Sequence, residues 1–168
     1  MAKRSVSVTT ITPTAFADTT NLTSAAYPFI VQGGTATQRI NILEIYMGGQ
    51  GGASTPTFMI LARDSTVAVT NSFGAGQTDA ALDASTAALA APPLTGNTNS
   101  TAPQRSSTLH LLNLSINCFG GIVRWVAPPG EEISLIGNTA ATNGEISFSA
   151  FTGGTPGAMG THLIYEPL

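Results

Sequence analysis

The sequence predicts an all-β protein, an antiparallel β-sandwich or jelly roll of about eight strands with at most one short helix. Two observations favour this fold class: apolar residues recur at every second position in short segments, and Gly/Pro-rich clusters separate those segments. No repeat period is visible, which argues against a propeller or a β-helix. Since Cys118 is the single cysteine, no intrachain disulfide can form. We therefore expect packing to supply the stability.

The N-terminal region differs in composition from the remainder. Residues 1–26 are dominated by Thr, Ser and Ala and contain few large apolar side chains. Val6, Val8 and Ile11 approximate the alternation of an extended segment. We therefore expect residues 1–26 to form an extended arm that becomes ordered against a neighbour. Residues 27–168 are expected to form one jelly-roll domain.

Three strand candidates open this domain. The β-branched and aromatic segment 27–32 stops at a Gly pair, and a longer candidate spans residues 37–47. Residues 48–52, rich in Gly, are expected to form a flexible turn. The continuous apolar run 57–63 is typical of a central strand with both faces covered.

The second candidate carries two apolar sets that differ in phase. Ile40 and Ile42 lie on one face of an ideal strand, whereas Leu43, Ile45 and Met47 lie on the other. A side-chain period of two cannot turn both sets inward. The sequence therefore predicts either a β-bulge or a strand that is buried on both faces.

A long insertion at about residues 64–107 follows. Its apolar content is mostly Ala, and its charged residues are few, so we expect an exposed excursion. Residues 78–90 satisfy the requirements of one short helix, with Leu82 and Leu89 on a narrow stripe. An ordered loop is the equal alternative.

The last third has the clearest strand patterns. Hydroxyl and amide side chains alternate with apolar ones, and Gly/Pro-rich turns separate the segments. The predicted strands are 107–118, 121–126, 132–137, 144–151 and 161–165.

Charge and hydropathy exclude several partners. Charged residues make up 9% of the chain, with a net charge of −3, against about a quarter in an average soluble domain. Lys3-Arg4 is the largest basic cluster, so we expect no direct nucleic-acid binding, which requires many phosphate contacts. No apolar run reaches the ~18 residues of a membrane span. We see no secretion signal at residues 1–10, so we expect synthesis in a cytoplasm.

The motifs of catalysis and metal binding are missing from the sequence. His162 and Glu166 share one strand face, but two ligands are too few for a zinc site. The acidic pair Glu131-Glu132 follows a Pro-Pro-Gly turn, and strand neighbours point in opposite directions, so it suits acid/base catalysis poorly. No nucleophile elbow or phosphate-binding loop occurs. We therefore predict a protein that is not an enzyme, with no catalytic, cofactor or metal site.

An uncharged surface suits permanent contacts, because such faces cost little to desolvate. The sequence therefore favours a homo-oligomer, and a trimer is the expected state.

The segment Val123–Ile133, together with the composition and the strand layout, resembles capsid decoration (cement) proteins of tailed bacteriophages of the jelly-roll type. The resemblance implies trimers on the outer surface of the virion that reinforce contacts between major capsid proteins. The arm would then act as a clamp. Candidate interaction residues are Lys3, Arg4, Val6, Val8, Ile11, Arg124 and Trp125.

Three alternatives stay open. A phage tail-fibre module or receptor- or carbohydrate-binding module would use the same β architecture. A capsid-forming single jelly roll would need more basic residues than this chain contains. A cupin-type enzyme would need a histidine-rich metal site, and the sequence has two histidines.

Overall fold

The computed structural model describes residues 29–54, 56–66, 71–72, 80–87, 89, 93–96, 98–99, 104–137, 144–150 and 158–168. The predicted arm and its candidate residues Lys3, Arg4, Val6, Val8 and Ile11 lie outside these ranges. Within them the chain forms strands and no helix. The strands are β1 (Phe29–Gln32), β2 (Arg39–Gln50), β3 (Pro56–Thr66), β4 (Asn71–Ser72), β5 (Leu94–Gly96), β6 (Thr98–Asn99), β7 (Gln104–Asn117), β8 (Ile122–Val126), β9 (Ile133–Ile136), β10 (Glu145–Ala150) and β11 (Ala158–Pro167).

Nine of the described strands form two antiparallel sheets. The five-stranded sheet has the order β5-β1-β10-β3-β7. In the four-stranded sheet, β2 pairs with β11 along one edge and with β8 and β9 in succession along the other. Strands β4 and β6 form a separate two-stranded pair. The predicted antiparallel β-sandwich is therefore confirmed.

The strand pairs are nested in the chain. β1 pairs with β10, β2 with β9 and β8, β3 with β7, and β4 with β6. Each pair encloses the next, as in one long hairpin that has been folded over itself. The additional pairing of β3 with β10 brings the outer and inner parts of this hairpin into one sheet. This is the pairing of a jelly roll.

Of the two alternatives predicted for β2, the structure has the β-bulge, which lies at Leu43. Along β11, Ile164 is opposite Glu44 while the next residue, Tyr165, is opposite Ile42, so Leu43 has no partner in this register. The extra residue brings the two apolar sets into phase. Ile40, Ile42, Ile45 and Met47 are each at most 2% exposed and belong to one core cluster.

The core lies between the two sheets. Phe148 is among its largest fully buried side chains and is 1% exposed. Both sheets contribute to the cluster, since alternate residues of β3 and β10 face alternate residues of β2 and β9. Its buried members are Val31, Ile40, Ile42, Ile45, Met47, Met59, Leu61, Ile116, Ile133, Leu135, Ile146, Phe148 and Ala150.

The predicted insertion at 64–107 is shorter than expected. β3 continues to Thr66 and β7 begins at Gln104, so both ends of the insertion belong to the five-stranded sheet. Residues 80–87 form bends and a turn instead of a helix. Asp83 organises this turn, because its carboxylate accepts hydrogen bonds from the amide and the hydroxyl of Ser85, at 2.9 and 2.7 Å. An Asp side chain that binds nearby backbone competes with helix formation.

Another boundary differs from the prediction. The Gly-rich segment 48–52 was expected to be a turn, but Gly48, Gly49 and Gln50 continue β2 and pair with β11. Pairing with β11 supplies the backbone partners that the local sequence does not indicate.

Three glycines allow a close backbone crossing at one end of the sandwich. The amide of Gly137 donates to the carbonyl of Gln38 at 2.7 Å, and a Cβ on Gly33 would lie 2.6 Å from the carbonyl oxygen of Gly137. Gly137 has φ of 72°, a left-handed conformation that favours glycine. Gly144 approaches the same carbonyl. The turn after β1 can therefore pack directly on the connection that leads into β10.

Candidate functional site

The first candidate site is the outer face of the four-stranded sheet, which we call the exposed face. The bulge turns the apolar residues of β2 inward, so the residues between them point outward. The register aligns three rows across β11, β2 and β8. These rows are Ile164–Glu44–Val126, His162–Tyr46–Arg124 and Gly160–Gly48–Ile122.

The middle row is held by one ion pair and two ring contacts. Arg124 Nε lies 2.5 Å from Glu44 Oε1, with the Arg124 side chain 54% exposed and that of Glu44 11% exposed. The Arg124 guanidinium carbon lies 5.0 Å from the centroid of the Tyr46 ring, within cation–π range. The ring of His162 lies 6.1 Å from that of Tyr46, edge to face. A hydrogen bond from the Arg124 guanidinium is the largest effect on the pKa of Glu44, and one from the Tyr46 hydroxyl is the second. Both hold this pKa below its usual range.

A shallow depression lies at one end of the exposed face. It has a volume of about 440 Å³ and is lined by apolar atoms and backbone near Gly48, Gly160, Tyr46 and Ile122. Ile122 stands beside it with 78% of its surface exposed. The depression forms because the two glycines are directly opposite each other in the register and carry no side chain.

The second candidate site is a cluster of polar groups on the other side of the molecule. It lies on the face of the five-stranded sheet that points away from the core, and we call it the acid–arginine cluster. Asp64, Glu145, Ser147 and Ser149 are 0% exposed and Arg105 is 3% exposed. The cluster corrects the expectation that Asp64 and Arg105 lie in an exposed excursion.

Hydrogen bonds join the members of this cluster across three strands. Ser147 Oγ of β10 donates to Asp64 Oδ1 of β3 at 2.5 Å. Arg105 Nη1 of β7 donates to Ser149 Oγ. Asp64 Oδ2 is buried and accepts no hydrogen bond from a described N–H or hydroxyl group, and the Glu145 side chain lies within hydrogen-bonding distance of the Asp64 carboxyl. A buried oxygen without a donor favours the protonated carboxyl.

Burial dominates the protonation of the acid–arginine cluster. Desolvation is the largest effect on the pKa of Asp64, and the Glu145 carboxylate is the second. Together they raise this pKa well above its usual value. Desolvation lowers the pKa of Arg105 to about 10. Desolvation and the nearby Arg105 also lower the pKa of His110. Arg105 supplies a positive charge beside the Asp64 carboxyl and opposes part of the rise in its pKa.

The two sites differ in what they offer a partner. Members of the acid–arginine cluster are at most 3% exposed, so a substrate cannot reach them in this conformation. The exposed face presents aromatic, apolar and arginine side chains at the surface, which are the residue types enriched in protein interfaces. Its geometry is suited to contact with another surface.

The structure separates the candidate residues of the sequence analysis. Arg124 lies on the exposed face, whereas Trp125 packs against the core cluster. His110 and His162 belong to different sheets. Glu132 accepts a hydrogen bond from the amide of Gly130 at 2.7 Å and closes a turn.

The sequence analysis did not identify either site as a unit. One signal for the acid–arginine cluster was present: Ile60, Ala62 and Asp64 continue one strand face, so Asp64 belongs to β3. Its partners come from distant strands and could not be read from local spacing. For the exposed face, the alternation of Glu44 and Tyr46 with apolar residues indicated only which side of β2 carries polar groups.

No protein-family model, curated protein or solved structure matches the chain. In the described ranges, no group of three or more His, Cys, Asp or Glu side chains is arranged to hold a metal ion. The same part of the chain contains no helix with the length and hydropathy of a membrane span.

Proposed function

We propose that this chain is a structural virion protein that binds the outer surface of a capsid and stabilises the shell by contact. Its partner is the major capsid protein, and it acts as a homo-oligomer, with a trimer as the expected state. The resemblance of residues 123–133 to phage decoration proteins and the low charge of the chain support this proposal.

The exposed face is the observation that carries the proposal. Its arginine is neutralised by Glu44, so the face combines an internally paired charge with exposed Ile122 and Val126, which are 78% and 49% exposed. Apolar side chains at these positions gain free energy when a partner covers them, by about 25 cal/mol per Å². A paired arginine and an aromatic ring at the centre add specificity.

The acid–arginine cluster supports a contact function in a different way. Its carboxyl groups are the most deeply buried of the described acids. They can therefore form contacts within the protein but not with a substrate at the surface. A general acid or base must come within about 3 Å of a reacting atom. The described ionisable clusters are therefore better suited to holding the fold than to turnover.

Binding to capsids tests the proposal. Purified protein is mixed with undecorated capsids of the phage that encodes it, and bound protein is measured by cosedimentation and by electron microscopy. We expect saturable binding at fixed positions on the shell and a higher temperature of capsid disruption. Capsids that already carry the protein are the matched control and should bind none.

Two results would contradict this function. Protein that stays in the supernatant and leaves the stability of the shell unchanged would exclude a decoration function. Saturable binding to glycans on an array, without binding to capsids, would favour the receptor- or carbohydrate-binding alternative.

A further inference from the structure

A row of polar side chains crosses the five-stranded sheet on the face that points away from the core. Gln32 of β1 is opposite Glu145 of β10, and Asp64 of β3 is opposite Arg105 of β7. The register of β10 and β3, extended by one residue beyond Ile146, brings Glu145 opposite Asp64. The four polar residues of the row are at most 3% exposed. Two carboxyl groups are therefore direct neighbours on adjacent strands and are removed from solvent.

The contact between these two carboxyl groups requires a proton. The Glu145 side chain lies within hydrogen-bonding distance of the Asp64 carboxyl, while Asp64 Oδ2 accepts no hydrogen bond from a described N–H or hydroxyl group. An ionised carboxylate is an acceptor only, so a hydrogen bond between two of them forms when one is protonated. Two adjacent carboxylates also disfavour ionising together, because their charges repel.

One proton also balances the charges of the row. Arg105 supplies one positive charge, whereas two ionised carboxylates would place two negative charges away from water, which is costly. With one carboxyl protonated, the remaining carboxylate and Arg105 offset each other. In the described ranges, the further titratable group beside the row is His110 of β7. Desolvation, followed by Arg105, lowers the pKa of His110, so this ring is neutral at about pH 7.

We propose that Asp64 and Glu145 share one proton in the folded protein and that this proton locks β3 to β10. The lock lies on the pairing that joins the outer and inner parts of the nested hairpin into one sheet. Ser147, two residues from Glu145 on β10, supports it, because its hydroxyl donates to Asp64 Oδ1 at 2.5 Å. When the proton passes to solvent, two adjacent buried carboxylates remain. Alkaline pH therefore weakens the pairing that closes the jelly roll, and lower pH restores it.

The pH range of the lock follows from the folded and unfolded states. In the unfolded chain both groups ionise near their ordinary pKa values of about 4. In the folded protein the shared proton leaves at a higher pH, because burial and the neighbouring carboxylate raise the pKa of Asp64. Between these limits the folded protein holds one proton that the unfolded chain does not. The pair alone should therefore raise the unfolding equilibrium constant about tenfold per pH unit, until the pH passes the folded pKa.

Infrared spectroscopy of the folded protein detects the shared proton directly. The carbonyl stretch of a protonated carboxyl group is separate from that of a carboxylate, and ordinary exposed acids are ionised at about pH 7. The wild type should show a protonated carboxyl at this pH. The signal should disappear in the Asp64→Asn/Glu145→Gln double variant, whose amides can form a hydrogen bond without a shared proton. Glu131→Gln is the matched control, because Glu131 is exposed and its replacement should leave the signal unchanged.

Urea unfolding between about pH 5 and about pH 9 measures the effect on stability. Per pH unit, the unfolding constant of the wild type should rise about tenfold more than that of the double variant, until the pH reaches the folded pKa. Equal pH dependence in the two proteins overturns the proposal, and so does a protonated carboxyl that persists in the double variant.

A wild-type protein without a protonated carboxyl at about pH 7 also overturns the proposal, and this measurement needs no variant. Neither experiment involves a capsid. A failure to bind capsids therefore overturns the decoration function and leaves the lock standing, and an absent proton does the reverse.

Discussion

The replacement Arg105→Met should reveal the electrostatic balance of the acid–arginine cluster. Arg105 is 3% exposed, while Asp64 and Glu145 are 0% exposed. Met retains much of the apolar stem but removes the positive charge and the hydrogen bond to Ser149. Removing Arg105 leaves the buried Glu145 carboxylate beside Asp64 without this positive charge, and removing one partner from a buried ionic group costs about 3–5 kcal/mol. For a chain of this length we expect the melting temperature to fall by roughly 10 °C.

The loss in Arg105→Met should depend on pH. The folded protein holds the pKa of Asp64 above its unfolded value, so this group favours folding most at pH values below the unfolded pKa. Its contribution declines as the pH rises towards the folded pKa. Without Arg105 the folded pKa of Asp64 rises further, so the extra loss should appear only as the pH passes the folded pKa of the wild type, and the variant should lose more stability at about pH 9 than at about pH 5.

Urea unfolding at the two pH values measures this difference. Arg124→Met is the matched control, because its arginine pairs with Glu44 at the surface, where an ion pair contributes little. Adding Asp64→Asn to Arg105→Met should restore part of the stability, since an amide still accepts the Ser147 hydrogen bond but does not ionise. A loss below about 1 kcal/mol, or an equal loss at both pH values, would refute this account of the cluster.

Three further predictions concern the packing of the sandwich. Gly137→Ala should destabilise by at least about 2 kcal/mol in urea unfolding, because φ is 72° and a Cβ would meet the carbonyl of Ala36; Gly52→Ala should be close to wild type, and equal losses would contradict the crossing. Phe148→Ala should cost about 3–5 kcal/mol by the same measurement, since the ring is 1% exposed; a loss below about 1 kcal/mol would place Phe148 outside the core. Cys118 is 1% exposed and burial raises the pKa of its thiol, so a thiol reagent should react slowly in buffer and rapidly in denaturant; rapid reaction in buffer would contradict this burial.

The fold class was predictable because its signals are local. The apolar alternation of β7 and β10 and the Gly/Pro-rich turns are visible in short windows. The phase conflict between Ile42 and Ile45 predicted either a β-bulge or a strand buried on both faces, and the structure has the bulge, at Leu43. The extension of β2 through Gly48–Gln50 could not be predicted, because it depends on pairing with β11 at the far end of the chain.

The two candidate sites depend on contacts between distant residues. Ser147 and Asp64 are 83 positions apart, and Arg105 and Ser149 are 44 apart. Alternation predicted that Ser147 and Ser149 lie opposite the apolar face of β10, but it could not show that this second face is also buried. Because both faces are buried, Asp64 is desolvated, which raises its pKa and makes its ionisation unfavourable.

The β-bulge at Leu43 makes the tolerance of β2 to changes in length depend on where the change falls. Deleting Leu43 would place Ile40, Ile42, Ile45 and Met47 in ordinary alternation, so a regular strand without the bulge could keep all four inward. A deletion or an insertion within either half would instead turn part of the apolar set outward. Evolution or engineering can therefore remove one residue at the bulge far more readily than it can shorten or lengthen β2 elsewhere.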